Sequence, residues 1–169
     1  EEVDLALIGQ KYGEDRSGHY GHKIAAEALT DLMFIPEDPE LSLNKILCAL
    51  DLSKVSEKAF RRCLDISGAV DAPIICHYLY DTHKSYFPAT TFRTKGVLEK
   101  KVRKRFRKFL KKFDLTPDDV ELRLRVNEEF KSQAEKLYDE AEEQKVDLLV
   151  VGAKGKTSVV TSLLGNVTE

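Results

Sequence analysis

No stretch of this 169-residue chain approaches the ~18 consecutive apolar residues needed to span a bilayer. The first residues, Glu1-Glu2-Val3-Asp4, lack the basic and apolar regions of a secretory signal. Charge of one sign is scarce in the total. The net is −2, which gives no strong bias toward polyanions as partners. Cysteines are few and odd in number: Cys48, Cys63 and Cys76 have no metal-ligand spacing, and no metal site is expected. Cys48 and Cys76 fall inside predicted strands, where a reduced thiol behaves as a small hydrophobe. A P-loop lysine is missing too, and nothing pairs a base with a nucleophile, so no catalytic residue is assigned. Together these absences point to a cytoplasmic, reduced, globular protein with no membrane partner. At 42% hydrophobic and 33% charged residues, the length accommodates one ordinary domain or one and a fraction.

What is present is a regular alternation. Residues 45–51 form an apolar run that ends in Asp51-x-Ser53 and leads into a helix over 54–69. Its apolar positions Val55, Ala59, Cys63 and Ile66 recur at helical spacing, with Gly68 near the end. The strand predicted over 73–80 is almost all apolar, as suits a strand covered on both faces. A helix from about 96 to 113, a strand over 120–126, a helix over 129–144 and a strand over 146–151 follow. Strands alternating with helices predict an α/β fold with a parallel, doubly wound sheet and right-handed crossovers. Ahead of this series, residues 3–9 read as a buried strand, 18–29 as a short helix and 31–36 as a strand stopped by Pro36. Residues 37–44 are polar, contain proline and make the one convincing linker.

The last predicted strand opens into Gly152-x-x-Gly155, and after nine residues a third glycine, Gly165, begins a further predicted helix. Glycine lets the backbone approach an anion, and the first N–H groups of a helix point at it along the helix dipole. A tight turn is the plainer reading of the first two glycines, and helix capping that of Asp51 and Ser53. His77 reads as a core or pocket-edge histidine, and Tyr78 has a core reading of its own.

The Asp51-terminated strand together with this glycine spacing resembles the universal stress protein family, of the nucleotide-binding kind. That family's marks are an aspartate ending its first strand and a Gly-x2-Gly-x9-Gly-(Ser/Thr) loop after its fourth. Asn166 stands where the hydroxyl residue belongs, and its amide can still donate to a phosphate. The resemblance implies a Rossmann-like sheet of the adenine nucleotide alpha hydrolase-like kind, with strand order 3-2-1-4-5 and ligand at the carboxyl ends of the central strands. It implies ATP as ligand, with any Mg²⁺ carried in by the triphosphate. Phosphates and ribose would rest on Gly155, Gly165, Asn166 and Val167, and adenine on Ala49 to Asp51 and Tyr78. Ser53, Val151 and Gly152 complete the expected nucleotide site.

Residues 3–9 echo 146–152, each running Val-Asp-Leu, apolar residues, glycine, and Gly18 echoes Gly165. Residues 1–40 are therefore expected to be the C-terminal part (strand 4, last helix, strand 5) of a first repeat. Residues 41–169 are expected to be a second repeat truncated after the glycine loop, in a fragment of a longer tandem protein. Residues 18–36 would complete the second sheet within the chain or by a swap between two chains, so an intrachain pseudo-dimer and a homodimer both stand. The first repeat lacks the second loop glycine, and His19 and His22 beside it read as surface residues. The expected function is an ATP-binding regulatory module in the stress response, with an unidentified protein partner. A protein that has lost nucleotide binding and acts through dimerisation is the competing reading.

Residues 100–112 contain nine lysines and arginines around an apolar stripe of Leu98, Val102, Phe106, Phe109, Leu110 and Phe113. The basic face reads as a solvated surface balanced by the acidic residues of 128–143. Its aromatics lie on the buried stripe, so nucleic acid is not expected as a partner.

Overall fold

The computed structural model describes residues 3–9, 24, 27–37, 42–80, 91–126 and 132–152. In chain order the elements are β1 (Leu5–Gly9), β2 (Asp31–Ile35), β3 (Ile46–Ala49), α1 (Lys54–Val70), β4 (Ile74–Tyr80), α2 (Thr91–Leu110), β5 (Glu121–Val126), α3 (Gln133–Gln144) and β6 (Leu148–Val150). A single 3-10 turn, Lys111–Phe113, closes α2. All described strand pairs are parallel. β1 and β2 form a two-stranded sheet, and the other four strands stand in the order β5-β4-β3-β6. Among the described residues no fifth strand joins that larger sheet. β2 pairs with β1, so residues 31–35 do not complete the larger sheet within the chain.

Alternation along β3 and β4 divides the core into two layers. Ile46, Cys48, Ile74 and Cys76 face Phe60 and Cys63 of α1 and Phe106, Phe109 and Leu110 of α2. One residue out of step, Leu47 and Ile75 face Leu137 of α3. With helices on both faces the sheet is doubly wound, as the apolar strands predict. Ring contacts lock α1 beside α2: Phe60 lies 4.9 Å from Phe113, edge-on, and 5.3 Å from Phe109.

This division overturns the expected charge balance. α2 and α3 lie on opposite faces of the sheet, so the acidic helix does not neutralise the basic one. Glu140 and Glu143 of α3 pair instead with Arg125 of β5.

Element ends follow local chemistry more than hydrophobic pattern. α1 stops at Asp71, which takes the left-handed conformation (φ 56°), so Gly68 lies inside the helix. α2 begins five residues before the expected Gly96, at Thr91. α3 starts at a capping box, with the Ser132 side chain on the Glu135 N–H and the Glu135 side chain on the Ser132 N–H. That box sets the start several residues beyond the position the apolar pattern predicts. β6 is shortened because Asp147 turns its carboxylate to the N–H groups of Asn44 (2.8 Å) and Lys45 (2.9 Å). Of the helix expected over 18–29, Ile24 and Glu27 are helical and the Ala28 N–H donates to the Ile24 carbonyl at 2.8 Å; residues 18–23, 25 and 26 lie outside the described residues.

Cys48, Cys63 and Cys76 are free and wholly buried beneath α1. A hydrogen bond with Cys63, added to burial, pushes the Cys48 thiol up, and burial does the same to Cys76. Thiols that are both protonated and shielded do not react as nucleophiles. We expect the native protein to leave Ellman's reagent unreacted, and all three thiols to titrate after denaturation. Fast modification of the folded protein would show that α1 opens from the sheet.

Candidate functional site

Where β3 ends, the chain turns through Leu50, Asp51 and Leu52 into α1, and Leu52 takes a left-handed conformation (φ 58°). The Asp51 carboxylate folds back over this turn. Its Oδ1 accepts from the Ser53 N–H at 2.9 Å and from the Ser56 hydroxyl. The Ser56 Oγ in turn accepts from the Asp51 N–H at 2.9 Å. Ser53 caps the helix, its Oγ taking the Ser56 N–H at 3.3 Å. The capping reading therefore holds for Ser53, and Asp51 braces the turn that precedes the cap. One Asp51 oxygen is spent on the turn, which fixes where the N-terminus of α1 points.

β6 runs beside β3, with Ile46 level with Leu148 and Cys48 with Val150. Val151 and Gly152 thus emerge next to Ala49, Leu50 and Asp51 at the carboxyl edge of the sheet. Val151 packs with Ala49 against Leu47, Ile75 and Leu137 on the α3 face. Gly152 has a reason of its own to be glycine. A Cβ there would lie 2.8 Å from Cγ1 of Val55, in the first turn of α1. The strand end and the helix start are pressed together at that point.

Tyr78 stands one strand further away, half-buried on β4, opposite Leu124 of β5. Alternation along β3 and β4 sends its side chain to the face opposite that of Ala49. The structure brings together Ala49, Asp51, Ser53, Val151 and Gly152, and sets Tyr78 apart from them.

Beside Ala49 on the α3 face lies a polar cluster that the sequence reading missed. His77, level with Ala49, is buried, and its Nδ1 stands 3.8 Å from Oε2 of the equally buried Glu140. That same Oε2 accepts from Nε of Arg125 at 2.6 Å, and Arg125 also grips Glu143. Neither imidazole nitrogen has a hydrogen-bond partner among the described residues. Burial lowers the His77 pKa and prevails over the opposing pull of Glu140.

Gly155, Gly165, Asn166 and Val167 lie outside the described residues. Comparison with known proteins bears on the whole segment. The model of the universal stress protein family matches residues 42–169. The chain belongs to that family. Comparison with curated proteins gives no match. Among solved structures, the universal stress protein UspA from Lactobacillus plantarum is 20% identical, covering 76% of this chain and 90% of its own at a TM-score of 0.54. The hypothetical protein MJ0577 is also 20% identical, covering 75% of this chain and 85% of its own at a TM-score of 0.57. These likenesses agree with the observed α/β architecture. Membership in the universal stress protein family implies a role in the stress response.

Two outcomes follow from this universal stress protein's strand edge. Gly152→Ala forces the stiff Val55 side chain aside and is expected to cost about 1–3 kcal/mol in urea unfolding. In a Val55→Ala background the same change should cost less than half as much, and equal costs in both backgrounds would remove the contact as the cause.

The second concerns His77. Above the unfolded imidazole's pKa of about 6.5 neither state binds the proton. Below it the unfolded chain takes up a proton that the folded chain resists, so stability falls as pH falls. Between about pH 7.5 and pH 5.5 the native protein should lose up to about 1 kcal/mol more than His77→Gln. Identical pH slopes for the two would remove His77 as the source.

Proposed function

We propose that this universal stress protein is a cytoplasmic ATP-binding regulatory module, whose output depends on whether nucleotide occupies the carboxyl edge between β3 and β6. The observation that carries this reading is the placement of Asp51 beside Gly152 by the parallel β3–β6 pair. Ligands of open α/β sheets bind at such an edge. The described part of the edge suits a nucleoside, because the small residue Ala49 ends β3, Gly152 follows two residues after β6, and Asp51 holds the turn into α1 in place. Adenine would rest against Ala49 to Asp51 with Tyr78 at the periphery. Gly155, Gly165, Asn166 and Val167 would take the phosphates, and any Mg²⁺ would arrive with them. Residues 1–40 we read as the tail of a preceding unit of the same kind, in a protein that pairs two such units within one chain or between two. Asn166, in place of a hydroxyl residue, and the first repeat's missing second loop glycine favour the second reading, an interaction protein without nucleotide.

Calorimetric titration of ATP into the 169-residue chain, with and without Mg²⁺, separates the two. We expect one site of micromolar affinity, abolished by Gly155→Val with the far-ultraviolet spectrum unchanged. Absence of binding in the unaltered protein would leave the glycine loop a structural turn and move the function to protein partners.

A further inference from the structure

The outer surface of α2 carries charge for which neither the fold nor the nucleotide edge has a use. All nine lysines and arginines of residues 100–112 are exposed. Among the described ion pairs, Lys112 with Glu57 is the one that neutralises part of this surface. The acidic helix that would have balanced it stands behind the sheet. A net charge of −2 therefore hides a segregated molecule, basic on the α1–α2 face and acidic on the α3 face. Lys58 and Arg61 of α1 are exposed as well, and Arg61 lies over the Phe113 ring at 5.3 Å, which carries the basic area across the seam between the helices.

We propose that this face binds duplex DNA through its phosphate backbone, without reading sequence. Geometry chooses the duplex over a membrane. At 3.6 residues per turn, the core-facing residues of α2 occupy roughly 120° of its circumference, and the seven basic residues from Lys100 to Lys108 sweep about 200° of the remainder. A flat bilayer meets only one side of such an arc, and the one apolar side chain that lies along it, the half-exposed Val97 a turn before Lys100, is too little to anchor the helix in lipid. A groove about 12 Å wide accepts a helix about 10–12 Å across, with phosphates on both rims.

Charge density matches too. The rise from Lys100 to Lys108 is roughly 12 Å, a length over which duplex DNA carries about seven charges. The exposed arc holds no asparagine or glutamine to recognise adenine, its arginines and lysines are assigned to the phosphates of the two rims, and Phe106 and Phe109 are in the core, so stacking does not contribute.

Fluorescence anisotropy with two short duplex DNAs of unrelated sequence, and co-sedimentation with anionic phospholipid vesicles, test the proposal on the full chain. Both duplexes should bind alike, with affinity falling on the order of a hundredfold between about 50 and 200 mM KCl, as about four phosphate contacts require. Lys104→Glu with Lys108→Glu should weaken binding at least tenfold, and Lys104→Gln with Lys108→Gln should lower the salt slope by about two. Lys136→Glu on α3 should change neither. Circular dichroism checks that each variant keeps its helix content. No binding at low salt, binding untouched by the α2 changes, or capture by vesicles without capture by duplexes would each overturn the proposal.

Discussion

β3 and β6 belong to segments about a hundred residues apart, and their parallel pairing sets the geometry of the carboxyl edge. Apolar burial alone would tolerate several alignments of two such short strands. The alignment is fixed at the opposite end, where the Asp147 carboxylate takes the N–H groups of Asn44 and Lys45 and the Asp147 N–H returns to the Lys45 carbonyl at 3.0 Å. A slip by one residue would send every side chain of β6 to the wrong face. With the register held, Gly152 arrives level with the turn after β3, and the first turn of α1 closes onto it through Val55. A carboxylate at one end of the sheet thereby determines what meets at the other.

The two faces of the sheet are fastened differently. The α1–α2 side is apolar and aromatic, with three thiols filling the space under α1. The α3 side has a small apolar cluster and relies on directional contacts, chiefly Arg125 with Glu140 and Glu143. Of the three charges only Glu140 is buried; pairing it recovers little net stability after desolvation, but removing Arg125 would strand its carboxylate. The contact therefore specifies how α3 sits more than how strongly it adheres. His77, with no nitrogen bonded among the described residues, rests beside it as a neutral filler.

Much of this was legible in the sequence, because it rests on local periodicity. The β–α alternation, the doubly covered strands and the Ser53 cap all follow from spacing and residue type. What escaped depends on contacts between distant residues. A Gly-x-x-Gly turn does not reveal that Val55 will press on its first glycine. Nor do acidic and basic helices of similar length reveal that a sheet will separate them, which is why the expected charge balance failed. His77 gave no signal of Glu140, and Glu129 gave none that Ser132 would begin the helix. The part of the site beyond Gly152 rests on spacing alone.

Arg62 remains, projecting from α1 to bind Asp31 of β2 at 2.8 Å and reaching toward the Asp4 carbonyl at 3.4 Å. It ties the two-stranded sheet, whose Leu7 is 62% exposed, to a layer sealed by burial. The two kinds of fastening respond in opposite directions to ionic strength: screening loosens a surface charge contact, whereas excluded salts tighten apolar packing. Concentrated ammonium sulfate would thus act on this molecule as a latch release at one joint and a clamp at the other, loosening the hold on the leading strands while the body stiffens.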